Sequence, residues 1–196
     1  MKRIYALFVT LAVLGGGFYA FAGDAAPAKT PAELEKEKAL KEPFANDFGP
    51  DKIDTAGYPA PALEGYKTLL VRCTVCHTSS RPLNSQFVEG DGKDEAARDA
   101  AAKAMLKADP EMEKAKYVWQ VEGGIWQRYV KRMMNKPGCT VSKDDGKKIW
   151  TFLSYDSRAR KTGKNKAAWK AHREKLLADF KVKFPKRYEE LYPDKK

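Results

Sequence analysis

Apolar residues recur at three- and four-residue steps in several separate stretches of the 196-residue chain, a period that predicts helices. One stretch runs from Pro61 to Cys73, with Leu63, Tyr66, Leu69, Leu70 and Cys73 along one face. Another, Ser142 to Asp156, opens on the capping box Ser142-x-x-Asp145 and presents Ile149, Trp150, Phe152 and Leu153. Between them Trp126, Val130 and Met133 fall at i, i+4 and i+7, and Asn135-Lys136-Pro137-Gly138 stops that helix. Asn165 to Phe180 carries Trp169, His172, Leu176, Leu177 and Phe180 at the same spacing; Phe184-Pro185 ends it, and Tyr188, Leu191 and Tyr192 form a last short turn. Gly65, inside the first of these helices, costs roughly 1 kcal/mol relative to alanine. That cost makes sense if a second helix crosses closely there, and Ser142–Asp156 is the candidate.

More polar helices fill the remainder. Thr30-Pro31-Ala32-Glu33 has a cap, a proline in the first turn and an acid after it, and the helix it starts extends to Lys41. Pro43 to Pro61, rich in Pro, Gly, Asp and Asn, reads as a wrapping loop. Asp94 to Lys107 is an Ala- and Lys-rich exposed helix, and Asp109-Pro110-Glu111 starts another through Lys116. The expected fold class is all-α.

The N-terminus changes where this fold is expected to work. Met1-Lys2-Arg3 is a basic head, Ile4 to Ala22 carries no charge, and Ala20-Phe21-Ala22 has the small-x-small form of an export cleavage site. Residues 1–22 therefore read as a signal peptide of a periplasmic protein. An uncleaved membrane anchor is the alternative, since the apolar run is nearly long enough to span a bilayer. The charge is uneven. Residues 23–157 hold 21 Lys/Arg against 21 Asp/Glu, whereas 158–196 hold 14 against 5, so most of the formal +11 belongs to the C-terminal tail. An amphipathic basic tail suits docking on its own domain, an acidic partner protein or an anionic membrane surface. Export argues against nucleic acid.

The densest chemistry lies in Arg72-Cys73-Thr74-Val75-Cys76-His77. Cys-x-x-Cys-His is the attachment pattern of a c-type haem: two thiols add to the two vinyl groups, and the next histidine offers its imidazole to the iron. A disulfide turn, half a zinc site and a thioredoxin-like pair share part of the pattern. Zinc needs two more ligands, and only the remote Cys139 and His172 remain; a thioredoxin-like pair needs a strand before it. Cys139 reads as a small apolar core residue. A thioether is a soft ligand suited to haem iron in both oxidation states, which makes Met133 the candidate sixth ligand and Met134 its runner-up. Met105, Met112, His172 or an open site are the remaining options.

These residues carry a resemblance to monohaem class I c-type cytochromes, bacterial and exported. Gly65 lies eight residues before Cys73, as the N-terminal helix glycine does in that family. Ile149, Phe152 and Leu153 resemble the end of the C-terminal helix that crosses there, and Trp126, Tyr129, Val130 and Met133 resemble the family's stretch before the distal methionine. The resemblance covers about residues 58–156 and implies a helical domain around one covalent haem c, with His77 and Met133 as axial ligands. Outside it lie the N-terminal extension 23–57 and the basic helical tail 157–196; 88–118 is a helical insertion within it. The family's proline, about a dozen residues after the haem histidine, has no counterpart; Pro82 follows His77 by only five. Trp119, Trp126 and Tyr129 are candidates to wall the pocket, and Arg128 and Arg132 to neutralise propionates.

The function implied is a shuttle of single electrons between redox partner proteins outside the cytoplasmic membrane, and not an enzyme. Its alternatives are a haem subunit of a larger oxidoreductase, or a haem-based sensor or enzyme with an exchangeable sixth ligand.

Overall fold

The computed structural model describes residues 28–114 and 120–192, so the leader read at 1–22, Trp119 and the end of the helix expected through Lys116 lie outside the described residues. The chain is mostly helical. Helix α1 (Pro31–Lys41) starts at Thr30, whose side chain accepts from the Glu33 amide while Glu33 reaches back to the Thr30 amide. A 3-10 turn at Ala45–Phe48 and an extended loop lead into α2 (Ala60–Arg72), which passes directly into the 3-10 turn Cys73–Val75. Then follow α3 (Ser80–Leu83), β1 (Phe87–Glu89), α4 (Glu95–Ala108), α5 (Glu111–Lys114), β2 (Gln120–Glu122) and α6 (Ile125–Met134). The last helices are α7 (Lys143–Lys161), α8 (Lys166–Lys183) and α9 (Pro185–Leu191).

The fold is organised by α2 crossing α7 at Gly65. A Cβ on Gly65 would stand 2.1 Å from the Lys148 carbonyl oxygen and 2.7 Å from the Phe152 Cβ, so the two backbones meet where a side chain would hold them apart. Tyr66, Leu69, Trp126, Val130, Ile149, Phe152 and Leu153 form the core around this crossing, which places α6 beside α7 and brings its Met133 end towards the end of α2. The wrapping loop is tied down by polar contacts: the Tyr58 hydroxyl donates to Asp156 at 2.8 Å, and the Ile53 amide donates to the Tyr66 hydroxyl at 3.1 Å.

Two features were not expected. First, β1 and β2 pair in parallel, Phe87 with Gln120 and Glu89 with Glu122. Three residues are too few for a period of two to show. Second, α7 does not stop near Asp156 but runs to Lys161, into the start of the basic tail. It continues because those polar residues are paired inside the protein. Asp156, fully buried, takes a bidentate ion pair from Arg160 (2.9 and 2.7 Å), and the buried Lys161 ammonium donates to the Ser85 carbonyl at 2.6 Å and to Ser157 at 3.2 Å. Burial pushes the Lys161 pKa well below its ordinary value.

The tail packs on the domain. Trp169, Leu176, Leu177 and Phe180 of α8 are buried, and Arg173, only 1 % exposed, donates to the Asn84 carbonyl at 2.7 Å. Among the described residues no helix is long and apolar enough to cross a membrane.

Candidate functional site

The 3-10 turn at the end of α2 curls Cys73 and Cys76 towards one cavity of about 480 Å³, within the usual range for a cofactor site. Four elements wall it. Cys73, Cys76 and His77 form one side; Tyr129, Arg132 and Met133 of α6 another; Lys136 and Cys139 of the following loop a third; Glu35 and Ala39 of α1, with Glu42 just after it, close it. The four candidate haem-binding residues, spread from Cys73 to Met133, therefore face one space.

His77 has a defined orientation. Its Nδ1 lies 2.8 Å from the Thr78 carbonyl oxygen, which can only accept, so the neutral ring carries its proton on Nδ1 and leaves the Nε2 lone pair for a metal. The Pro82 carbonyl accepts from the Ser85 amide at 3.3 Å, and Pro82 itself is buried against a small void shared with His77 and Met133. Burial holds the His77 imidazole below its ordinary pKa, with Arg81 adding to the effect and the Thr78 hydrogen bond opposing it. The thiols are likewise kept neutral: burial pushes Cys73 up to about 12, and burial together with nearby Cys139 raises Cys76.

The two methionines separate. Met133 lines the large cavity and also the small void towards the core. Met134 lines the void alone and packs on α7, where a Cβ on Gly146 would stand 2.6 Å from its sulfur. Met134 thus fills the space that Gly146 leaves.

The arginines separate as well. Arg132 lines the cavity, stacks over the Tyr129 ring at 5.3 Å and has no carboxylate partner among the described residues. Arg128 is paired with Glu122 and donates to the Gly123 carbonyl at 2.9 Å, away from the cavity. Trp126 is fully buried and spends its indole N–H on Ser157 at 2.7 Å, so it supports the wall from behind; Tyr129 is the aromatic that reaches the space. His172 sits apart, its Nε2 2.9 Å from Asn84 Oδ1.

Several lining residues carried no usable signal in the sequence. Cys139, expected in a core, faces the cavity near the other two thiols. Arg81 lines it while holding Asp47 in a bidentate pair (both 2.7 Å) and stacking 4.8 Å over Phe44. Helix α1 borders the cavity although it has no buried residue; it is held by the Glu35–Lys136 ion pair at 2.5 Å and by the loop at Gly138 (φ 76°), which lies against Pro31 and Ala32. Among the described residues no three His, Cys, Asp or Glu side chains converge on a point that would hold a metal ion by themselves. Comparisons with protein-family models, with curated proteins and with solved structures find no match to this chain.

Proposed function

We propose that the protein is a monohaem c-type cytochrome that carries single electrons between redox partners outside the cytoplasmic membrane. One observation carries the reading: a single cavity of cofactor size is bordered by Cys73, Cys76, His77 and Met133 together. Cys73 and Cys76 would hold the haem as thioethers, His77 would bind its iron through Nε2, and Met133 would bind through sulfur from the α6 side. The bound haem supplies a one-electron couple. The chain's residues orient and shield it: Thr78 fixes the imidazole, Arg132 keeps a charge for a propionate, Tyr129 walls one side, and α1 limits access of water. With both His77 and Met133 bound, no position would be open to substrate, so this residue pair would suit electron transfer rather than sensing or catalysis.

The test is a visible spectrum of the reduced exported protein, made with the haem-attachment machinery, before and after carbon monoxide. The native protein is expected to be coloured and unresponsive at neutral pH. Met133→Ala is expected to bind carbon monoxide at once. Met134→Ala is expected to stay unresponsive while losing about 2 kcal/mol of stability from the space left against Gly146. Colourless protein, a responsive native form, or a response to the Met134 change alone would sink the assignment.

An acid titration adds a second check. Ligation competes with protonation of the imidazole, and burial lowers the proton affinity of His77. The low-spin spectrum is therefore expected to persist as the pH falls through the ordinary histidine value of 6.5 and to be lost only well below it.

A further inference from the structure

We infer that the corner where α8 meets α9, together with the apolar residues exposed around the His77 loop, docks an electron-transfer protein whose own surface is acidic around an apolar centre. The inference rests on the haem reading above and specifies where the partner of that site approaches.

Position comes first. Phe184, at the α8–α9 corner, packs on Phe48 with ring centroids 5.3 Å apart. Both rings line a second, open groove of about 490 Å³, with Leu40 of α1 and with Thr74 and His77 of the attachment loop. The tail therefore reaches the back of the residue that would bind the iron.

Two large hydrophobics that line this groove, Leu40 and Phe48, are exposed. Among the described residues the exposed large hydrophobics are Leu34 and Leu40 on α1, Phe48, Val71 and Val75 at and beyond the end of α2, and Val182 near the end of α8. Leu40 is 72 % and Val182 85 % exposed, which a folded helix gains nothing from by itself. Helices α4, α6 and α7 contribute none to this set.

Charge then selects the partner. Residues 181–187 read Lys-Val-Lys-Phe-Pro-Lys-Arg, four cations with no acid, and Lys181, Lys183 and Lys186 are exposed. Lys183 lies 4.7 Å over the Phe48 ring, so one cation stands directly at the groove. The acids nearby are partly spent: Asp47 on Arg81, and Glu190 on Arg187 at 2.8 Å. Asp51 also lines the groove. An anionic membrane would match the charge but not the shape. Insertion into a headgroup layer needs an apolar helix face turned outwards, and α8 has its apolar face, Trp169, Leu176, Leu177 and Phe180, buried inside the protein. A concave groove with a cationic rim fits a protein.

The test uses the full exported protein with its haem and the double charge reversal Lys183→Glu/Lys186→Glu, both positions outside the haem cavity. A reduced acidic ferredoxin is mixed with it, and the rate of haem reduction is followed at low and high ionic strength. The native rate is expected to fall with salt. The reversal is expected to slow the low-salt rate about tenfold or more and to flatten its salt dependence, leaving reduction by a small neutral reductant unchanged. A matching reversal at Lys170 and Lys175, on the exposed side of α8, is expected to have a much smaller effect. Equal rates for native and Lys183/Lys186 variants, or an equal loss in the Lys170/Lys175 control, would overturn the docking face while leaving a coloured electron carrier intact. Binding to phosphatidylcholine vesicles containing phosphatidylglycerol, lost on the Lys183/Lys186 reversal, would replace the protein partner with a membrane. Exported protein without colour would overturn the haem reading and the docking face together.

Discussion

Gly65→Ala is expected to destabilise the protein by about 3 kcal/mol or more, lowering Tm by roughly 6–12 °C for a chain of this size. In an isolated helix the same change would gain about 1 kcal/mol, so the sign itself is diagnostic. The new methyl would lie 2.1 Å from a backbone carbonyl oxygen, that of Lys148, and 2.7 Å from the Phe152 Cβ. A flexible side chain can swing aside; a backbone carbonyl within a helix cannot. Relief requires α2 and α7 to part. Because α2 ends on Cys73 and α7 supports Met134 through Gly146, the separation widens the space between the Cys73–His77 turn and α6. Thermal melts of the holo protein check this, with Lys67→Ala on the exposed side of α2 as a control expected to stay within about 0.5 kcal/mol. A Gly65 variant as stable as that control would mean the crossing is not the organising contact.

The Gly65 crossing could be read from the sequence because a glycine in an otherwise apolar helix has a local cost that only a close neighbour explains. The convergence of Cys73, Cys76 and His77 on one cavity was legible for a similar reason: three side chains within five positions already carry their own geometry. Helices α1, α2, α7 and α8 announced themselves through caps and a three- to four-residue period. What stayed hidden depends on neighbours far along the chain. Lys161 and Arg173 look like solvated residues by type and spacing, yet they lie 0 % and 1 % exposed because α8 folds back over the end of α7 and the stretch Asn84–Gln86 supplies them with acceptors. Residue type alone could not divide Met133 from Met134, or Arg132 from Arg128. The division comes from where α6 meets Gly146 and from the carboxylate of Glu122. Glu89 was the most consequential omission, since nothing in Phe87-Val88-Glu89 marks an acid that is 1 % exposed.

Glu89→Ala is expected to cost about 3–5 kcal/mol, the range for stranding one partner of a buried charged pair. The carboxylate accepts from the Trp126 amide at 3.0 Å, from the Trp150 indole N–H at 3.0 and 3.1 Å, and from the Ser154 hydroxyl at 3.2 Å, and it lies 3.3 Å from the Arg98 Nε. It thus joins β1 to α4, α6 and α7 at one point. Its place at the start of α6 gives it a second role. Gly124, the cap of that helix, has no side chain to satisfy the free amides there, so a carboxylate from β1 does so and also offsets the positive end of the helix dipole. Alanine leaves the Arg98 charge, an indole N–H and a helix amide without this acceptor in a place water does not reach. Helix α6 then loses its anchor at one end while Met133 sits near the other. Thermal melts should show the loss, and the reduced Glu89→Ala protein should bind carbon monoxide although Met133 is intact. Glu89→Gln, which keeps one acceptor oxygen, should fall between the two. Removing Arg98 as well should cost less than the two single changes added together, because the second change removes the charge that the first one stranded. If Glu89→Ala instead costs under about 1 kcal/mol and the haem stays closed to carbon monoxide, α6 is held by its apolar face on α7 alone.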